Sequence, residues 1–309
     1  MAKPSSMTGL YTSAPLPFKI GEIANRSEYE HVLLCTPHYF DIVDEKNVHM
    51  KGNAGSTVRA DVLKQWQELK HTYDSLQEAG VVKEVSVLPG AEDCEDMVFC
   101  ANQSFPWVMD NGKRVVVMSN MRHSSRQREV PYFEDFFRDK GFEPLSLSPD
   151  LMFEGMGDVI PHPGKRLLYG GFGHRTNVDA YVELTMLLRT PIVALELVSE
   201  KFYHLDTCFV PLSTDSVMIC EEAFSEQGLA MIEEVFRVIH YVPIQEAERF
   251  FSLNAHVFDI GGRKVAILQK GSETTRNILS IEGFEVIEVE TSEFMKSGGS
   301  VFCMKMMYP

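Results

Sequence analysis

One pattern recurs along the chain, in which a turn glycine and two basic residues stand directly before an apolar strand. It occurs in GKRVV at 112–116, GKRLL at 164–168 and GRKVA at 262–266. An apolar run that predicts a preceding strand stands ahead of each turn, at residues 97–100, 158–160 and 255–258. Two further runs fit the same first-strand position, at residues 207–210 and 300–303. First strands at intervals of about 45–60 residues indicate a radial or stacked repeat.

Helical patterns alternate with these strands. Residues 62–79 and 129–140 predict amphipathic helices, and Gly141 provides the C-cap of the second. A third helix is predicted at residues 224–239. Further β-branched runs predict strands at residues 32–35, 85–88, 114–118 and 192–195. Five hairpin-plus-helix units around an axis would form one closed α/β domain, while a doubly wound sheet is an alternative that the pattern leaves open.

Composition and charge narrow the classes of function. Hydrophobic residues make up 44% of the 309 residues and charged residues 24%, which is typical of a globular protein with a sizeable core. The 44 acidic and 29 basic residues give a net charge of −15, which disfavours binding to nucleic acid or to anionic membranes. Residues 1–15 lack the apolar region of a signal peptide, and no stretch is long enough to span a membrane. We therefore expect a cytoplasmic protein.

No linker-like stretch divides the chain. We predict a loose N-terminal segment, residues 1–25, and a single domain, residues 26–309. The six cysteines form no CxxC pair and no Cys/His zinc spacing, so we expect reduced thiols and no metal site. The sequence leaves open whether the chain forms a homo-oligomer.

Three segments carry side chains with complementary chemistry. SGGSVFCM contains Cys303, FEGMGD contains Glu154 and Asp158, and FYHLDT contains His204 and Asp206. A cysteine with histidine and acid elsewhere in the chain is a candidate nucleophilic site. Taken alone, a cysteine on an apolar strand is more often a small core residue, and a histidine beside a tyrosine can likewise belong to the core.

The segments GGSVFCM, FEGMGD, YHLDT and GFGHRTN, in this arrangement, resemble the guanidine-modifying enzymes of the amidinotransferase superfamily. The likeness extends from about His31 to Met306. It implies the fold of that superfamily, a five-bladed α/β propeller (pentein) built from pseudo-fivefold ββαβ units in one domain, with the site in the central channel. If each first strand points one end at the axis, five positions converge: Asn102, residues 154–158, residues 204–206, His256 and Cys303.

The resemblance implies the roles of three catalytic residues. Cys303 would attack the central carbon of a guanidinium and form a covalent thiouronium adduct. His204 would protonate the departing amine and then deprotonate water, and Glu154 would contact the guanidinium or orient His204. The two glycines ahead of Cys303 would permit close approach of the backbone. No cofactor is expected for this chemistry.

Further residues are expected to bind the substrate, a small guanidino amino acid. Asp206, predicted on the same strand face as His204, would hold guanidinium nitrogens. Asp158 would bind substrate or stiffen its glycine-rich turn. Arg126 and Arg175 resemble the arginines that bind an α-carboxylate, although Arg128 competes with Arg126 for this role.

Asn102 departs from the deiminase pattern, which has an aspartate at this position. An amide both donates and accepts hydrogen bonds, so it suits a guanidinium and also a ureido group. The form FxAN, with Asn254-Ala255 downstream, resembles the arginine dihydrolases, although Asn102 is also readable as a turn residue. Those enzymes carry Asn-Pro-Trp-Met where this chain has Asn47-Val48-His49-Met50, so Asn47 is a candidate ligand and the tryptophan wall is missing.

The expected function is hydrolysis of L-arginine to ornithine, two ammonia molecules and carbon dioxide, or to citrulline and one ammonia. Transfer of the amidino group to an amine and hydrolysis of dimethylarginine are the enzymatic alternatives. A regulatory protein that binds arginine without turning it over is the non-enzymatic one. The sequence fixes neither the exact guanidine nor the pathway.

Overall fold

The computed structural model describes residues 9–309. The strands of this range are β1 (Leu10–Tyr11), β2 (His31–Cys35), β3 (Glu84–Leu88), β4 (Ser104–Val108), β5 (Arg114–Met118), β6 (Glu143–Leu145), β7 (Val159–Pro161), β8 (Leu168–Phe172), β9 (Ile192–Glu196), β10 (Phe209–Pro211), β11 (Ser216–Ile219), β12 (Val238–Tyr241), β13 (His256–Ile260), β14 (Arg263–Gln269), β15 (Glu285–Val289) and β16 (Lys305–Tyr308). The helices are α1 (Arg59–Glu78), α2 (Ser124–Gln127), α3 (Val130–Asp139), α4 (Gly155–Asp158), α5 (Val178–Leu188), α6 (Glu226–Val235), α7 (Ile244–Phe250), α8 (Glu273–Ile281) and α9 (Ser292–Met295).

Across residues 9–309 the strands form five separate sheets that share one connectivity. Each sheet contains an antiparallel pair followed by a parallel pair, as in β4-β5-β6, β7-β8-β9, β10-β11-β12 and β13-β14-β15. The parallel strand is reached through a helix, because two parallel neighbours require a crossover connection. The sheet that contains β7 has β1 as an additional edge strand.

One sheet combines strands that lie far apart along the chain. Strand β16 pairs antiparallel with β2, placing Met306 opposite Leu33, and β2 pairs parallel with β3 after the crossover through α1. Leu33 and Met306 are completely buried. This sheet therefore has the same strand order as the others, although its first strand is contributed by residues 305–308.

Residues 9–25 contact the domain. Strand β1 pairs in parallel with β9, and the side chains of Phe18 and Ile23 are buried in an apolar cluster. The predicted division of the chain at residue 26 stays a prediction, and residues 1–8 of the predicted loose segment lie outside the described residues. No helix among residues 9–309 is long and apolar enough to cross a membrane.

Several predicted elements were wrong in their extent. The helix predicted at 224–239 ends at Val235, because Val238–Tyr241 leaves it to pair in parallel with Ser216–Ile219. Residues 97–100 and 300–303, predicted as strands, form turns, and the strands begin only at β4 and β16. The backbone of these two turns meets where Ala101 N–H donates to the carbonyl of Cys303. Their apolar side chains therefore fill the interior without joining a sheet.

We predict that Leu33→Ala lowers the free energy of unfolding by about 2–5 kcal/mol, because it opens a cavity under the β2–β16 pair. The measurement is a urea titration followed by circular dichroism. Ile281→Ala, at a side chain that is 81% exposed, is the control and leaves the unfolding midpoint nearly unchanged. Equal stability of the two variants would contradict the importance of this pairing.

Candidate active site

The loops that precede the first strands of the five sheets lie together. Asn102 precedes β4, Glu154 precedes β7, His204 precedes β10, Asn254 precedes β13 and Cys303 precedes β16. All five side chains are buried, each 2% exposed or less. The same position in successive units thus contributes one polar group each, and hydrogen bonds between neighbouring loops join them into a single site.

The thiol of Cys303 lies between a carboxylate and an amide. Its Sγ donates to Oδ2 of Asp206 at 3.2 Å, and Nδ2 of Asn254 donates to the same sulfur at 3.2 Å. Oδ1 of Asn254 accepts from the backbone N–H groups of Ser300 and Cys303, at 2.9 and 3.2 Å. Asn254 therefore holds both the loop and the sulfur.

Burial controls the protonation of Cys303 and Asp206. It raises the pKa of the Cys303 thiol well above its usual value, and the Asp206 carboxylate raises that pKa further. Burial also raises the pKa of Asp206 to about 7, although the hydrogen bond from Cys303 lowers it. At neutral pH the protein therefore holds Cys303 as a thiol that donates to Asp206.

His204 is bonded to Glu154, with Nε2 lying 2.7 Å from Oε2. Burial lowers the pKa of His204 to about 4, although the Glu154 carboxylate opposes this shift. The imidazole is therefore neutral near pH 7, donates through Nε2 and presents Nδ1 as an acceptor. Among residues 9–309, no group bonds to that Nδ1.

Glu154 is completely buried and is held as a carboxylate. Its Oε2 accepts from Arg175 at 3.2 Å, and its Oε1 accepts from the backbone N–H of Arg122 at 3.1 Å. Burial alone raises the pKa of Glu154, but the Arg175 guanidinium and the bond to His204 hold that pKa well below its usual range. Arg175 itself lies over the ring of Tyr203, 4.7 Å from the ring centroid.

Asn102 is oriented by Arg126. The guanidinium donates to Oδ1 of Asn102 at 2.9 Å and to both oxygens of Glu129, which also accepts from Gln103 at 2.6 Å. Remaining N–H groups of Arg126 bind the carbonyls of Asp96 and Phe99. These contacts favour a positioning role for Arg126, and its predicted binding of a carboxylate stays a prediction. Arg128 lies on the exposed surface.

The carboxylate of Asp158 accepts hydrogen bonds from neighbouring groups of the protein. Its Oδ2 accepts from the hydroxyl of Thr176 at 2.6 Å, and its Oδ1 accepts from the backbone N–H of Leu205 at 3.1 Å. These contacts favour the stiffening role over substrate binding. Neighbouring Gly157 permits close packing, because a Cβ there would lie 2.2 Å from Nδ2 of Asn102.

Asn47 connects residues 47–50 to the loop that precedes Cys303. Its Oδ1 accepts from the N–H groups of His49 and Met50, and its Nδ2 donates to the carbonyl of Ser297 at 3.0 Å. Gly298 has a φ of 90°, and a Cβ there would lie 2.8 Å from Nδ2 of Asn47. The imidazole of His49, at the position of the missing tryptophan, packs edge-on against Phe251 with centroids 4.6 Å apart.

A small cavity lies in the site between these side chains. Its lining includes the side chains of Lys46, Arg126, Arg175, Tyr203 and Cys303. The cavity volume is about 10 Å³, room for roughly one water molecule. An amino acid therefore enters only if the surrounding loops move apart.

Three buried polar atoms of the site have no hydrogen-bond partner among residues 9–309. They are Nδ2 of Asn102, Nδ1 of His204 and Oδ1 of Asp206. Buried polar groups are normally satisfied, so unpaired ones in a buried site with a thiol indicate a polar ligand. A donor, an acceptor and a carboxylate oxygen together suit a planar group that carries several N–H bonds.

Comparison with known proteins identifies the family. The family model described as N,N dimethylarginine dimethylhydrolase, eukaryotic, matches residues 36–308. The chain belongs to this dimethylarginine hydrolase family. The resemblance to the guanidine-modifying enzymes is thereby confirmed.

Two kinds of enzyme stand among the curated relatives of this chain. The bifunctional arginine dihydrolase/ornithine cyclodeaminase AgrE of Nostoc is 32% identical over 274 residues, which cover 89% of this chain and 37% of that protein. The N(G),N(G)-dimethylarginine dimethylaminohydrolase of Mycobacterium tuberculosis is 28% identical, covering 96% of this chain and 91% of that protein. The chain therefore spans little more than a third of the bifunctional protein.

Solved structures share the fold. The N-terminal domain of the cyanobacterial arginine dihydrolase ArgZ, a cysteine-to-serine variant bound to substrate, superposes with a TM-score of 0.81 at 31% identity. The match covers 90% of this chain and 97% of that domain. The α/β pentein fold in one domain is confirmed.

Within this family fold, the sequence missed two residues and misplaced two. Asn254 belongs to the Asn254-Ala255 pair, but nothing in that pattern indicated that its side chain contacts the sulfur of Cys303. Lys46, whose Nζ lies 2.8 Å from Glu95 and 3.1 Å from Asp96, gave no signal at all. His256 lies outside the site, with Nδ1 2.8 Å from the hydroxyl of Tyr73. Asp206 lies in the 3-10 helix Leu205–Thr207, and its predicted place on a strand was wrong.

We predict that Asp206→Asn speeds alkylation of Cys303 by iodoacetamide at about pH 8. The substitution removes the negative charge that raises the pKa of the thiol, and the rate rises about tenfold for each unit by which that pKa falls. The rate is measured by mass spectrometry of the Cys303 peptide. Asp150→Asn, at an exposed acid, is the control; a rate in Asp206→Asn no faster than in this control would contradict the assignment.

Proposed function

We propose that the chain is a cysteine-dependent hydrolase of a guanidino amino acid. The observation that carries this proposal is the set of unpaired polar atoms on Asn102, His204 and Asp206, of which Asp206 is bonded to the thiol of Cys303. A guanidinium offers only N–H donors and one positive charge. Oδ1 of Asp206 accepts such a donor and the carboxylate balances the charge, while Nδ1 of His204 stays free to accept a proton.

The substrate itself activates the nucleophile. A guanidinium between Asp206 and Cys303 stabilises the carboxylate and the thiolate, so the pKa of each falls when the cation binds. The proton leaves Sγ, and the thiolate attacks the central carbon of the guanidinium to form a carbon–sulfur bond. This order of events keeps the thiol unreactive until a cationic substrate is in place.

His204 carries the proton through the reaction. Neutral in the resting site, it accepts the proton of Cys303 and delivers it to the departing nitrogen as the carbon–nitrogen bond breaks. It then deprotonates the water that releases the thiouronium adduct. Glu154, kept ionised by Arg175, holds the ring in the tautomer that this relay requires.

Two rounds of this chemistry convert L-arginine and two water molecules into ornithine, two ammonia molecules and carbon dioxide. The first round yields ammonia and citrulline, whose ureido oxygen replaces one nitrogen of the guanidinium. Nδ2 of Asn102 is free to donate to this oxygen, because Arg126 already occupies its Oδ1. The arginine dihydrolases among the relatives support arginine as the substrate.

The second candidate is dimethylarginine. The family model that matches residues 36–308 favours it, and so does the mycobacterial relative. Its hydrolysis uses the same thiolate attack and releases dimethylamine with citrulline. Product analysis separates the two substrates.

The proposal includes the arrangement of the five sheets around one axis as a closed five-bladed propeller. The repeated ββαβ order and the β2–β16 pairing support this arrangement. The loops ahead of the five first strands would then bring Cys303 and its partner side chains together at that axis.

We predict two ammonia molecules per ornithine from L-arginine, with little citrulline, in an end-point assay of the purified protein. Cys303→Ala abolishes all products, whereas Cys94→Ala, at a buried thiol outside the site, retains them. The same assay with N,N-dimethylarginine detects dimethylamine. Product formation by Cys303→Ala would refute the mechanism, and dimethylamine without ornithine would establish the second candidate.

We predict that Asn102→Asp stops the reaction at citrulline, with one ammonia released per citrulline. The carboxylate still binds Arg126 and a guanidinium, but it cannot donate to the ureido oxygen. The rate of citrulline hydrolysis, measured in a separate assay, falls at least about 100-fold. The loss of one buried neutral donor to a reacting group has an effect of this size. Asn111→Asp, in an exposed turn, is the matched control. Unchanged ornithine production by Asn102→Asp would contradict this role.

A further inference from the structure

A second cavity lies along the bodies of the first strands and shares no lining residue with the thiol site. It has a volume of about 320 Å³, within the range of small-ligand pockets. Residues from β7, β10, β13 and β16 line it, with an apolar wall that includes Ile160, Phe209, Phe258 and Met307. Nothing in the proposed reaction uses this space.

Lys305 lies on this cavity with an unpaired ammonium. The residue is 1% exposed, and its Nζ makes no hydrogen bond or ion pair with any group of residues 9–309. Its contact there is the ring of Phe302, whose centroid lies 3.2 Å from Nζ. A buried ammonium that no carboxylate contacts directly is costly, so an anionic ligand in the cavity would stabilise its charged form.

The other charged groups on the cavity wall each have a polar partner. Arg26 pairs with Glu28 at 2.8 Å, and Lys264 donates to the carbonyl of Glu282 at 3.1 Å. Asp259 accepts from the backbone of Gly262 at 3.0 Å. Lys305 is therefore the charged group of this wall whose hydrogen-bonding capacity is left for a ligand.

We infer that this cavity binds a small carboxylate with an apolar body, in which the carboxylate pairs with Lys305 and the body packs against the aromatic and aliphatic wall. A monoanion matches one ammonium. The volume admits a body of one aromatic ring or a branched chain, while the apolar walls disfavour sugars and polyanions. The inference does not depend on the proposed reaction, because benzoate binding is measured without any turnover of substrate.

The strand also connects the two sites electrostatically. Lys305 follows Cys303 by two residues, and the charges of Asp206, Cys303 and Cys100 raise its pKa. Burial is the larger influence and lowers the pKa of Lys305 to about 7, while His256 presents its ring to the same space. A carboxylate in the cavity raises the pKa of Lys305, because it favours the charged form.

The test is calorimetric titration with sodium benzoate, using protein whose Cys303 has been alkylated so that the thiol site is blocked. Benzoate binds the alkylated wild-type protein, and benzyl alcohol, the uncharged analogue, binds at least tenfold more weakly. Lys305→Met weakens benzoate binding at least tenfold, and Lys305→Arg restores part of it. Thermal unfolding of each variant confirms that it folds.

A second measurement follows the pH dependence in the wild-type protein. As the pH rises from about 6 to about 8.5, Lys305 loses its proton while benzoate stays ionised, so affinity falls about tenfold or more. Absence of benzoate binding, equal binding by Lys305→Met, or an affinity independent of pH would each overturn the inference.

Discussion

Charged groups buried beside the thiol must be paired, and this requirement fixes the loops that carry the site. Arg126 binds Glu129, Arg175 binds Glu154, and Lys46 binds Glu95 and Asp96, all in the interior. Removing one partner of a buried pair typically costs about 3–5 kcal/mol, because the other charge stays uncompensated. The pairs therefore hold these loops together, while the amide of Asn102, the imidazole of His204 and the carboxylate of Asp206 keep unpaired atoms for a ligand.

The repeat could be predicted because it depends on local chemistry. A turn glycine, basic residues and an apolar strand are readable from a few consecutive residues, and the hairpins at 164–168 and 262–266 follow that pattern. Strand β12 was missed because Val238 and Ile239 continue a helical pattern and become a strand only when Ser216 and Val217 pair with them. Such pairing is a tertiary effect that propensity does not contain.

The candidate site was partly readable for a different reason. Cys303, His204 and Glu154 stand in motifs whose spelling matches a known family, so their convergence was expected before their distances were known. Lys46 belongs to no motif and meets Asp96 only in the folded chain. Asp44 pairs with Lys46 from the same loop, but the buried acids Glu95 and Asp96 come from a different one, so no local pattern reveals the burial of this lysine. Asp158 shows the converse, since its motif indicated importance and only the contacts distinguish a structural bond from a ligand.

The pairing of β16 with β2 also has a consequence for synthesis. Residues 31–35 leave the ribosome long before their antiparallel partner, residues 305–308, is made. Until then β2 exposes an unpaired edge, and the thiol loop beside β16 has no fixed place. A chain still in synthesis therefore lacks the completed site, and until β16 is made the β2 edge is open to association with other chains.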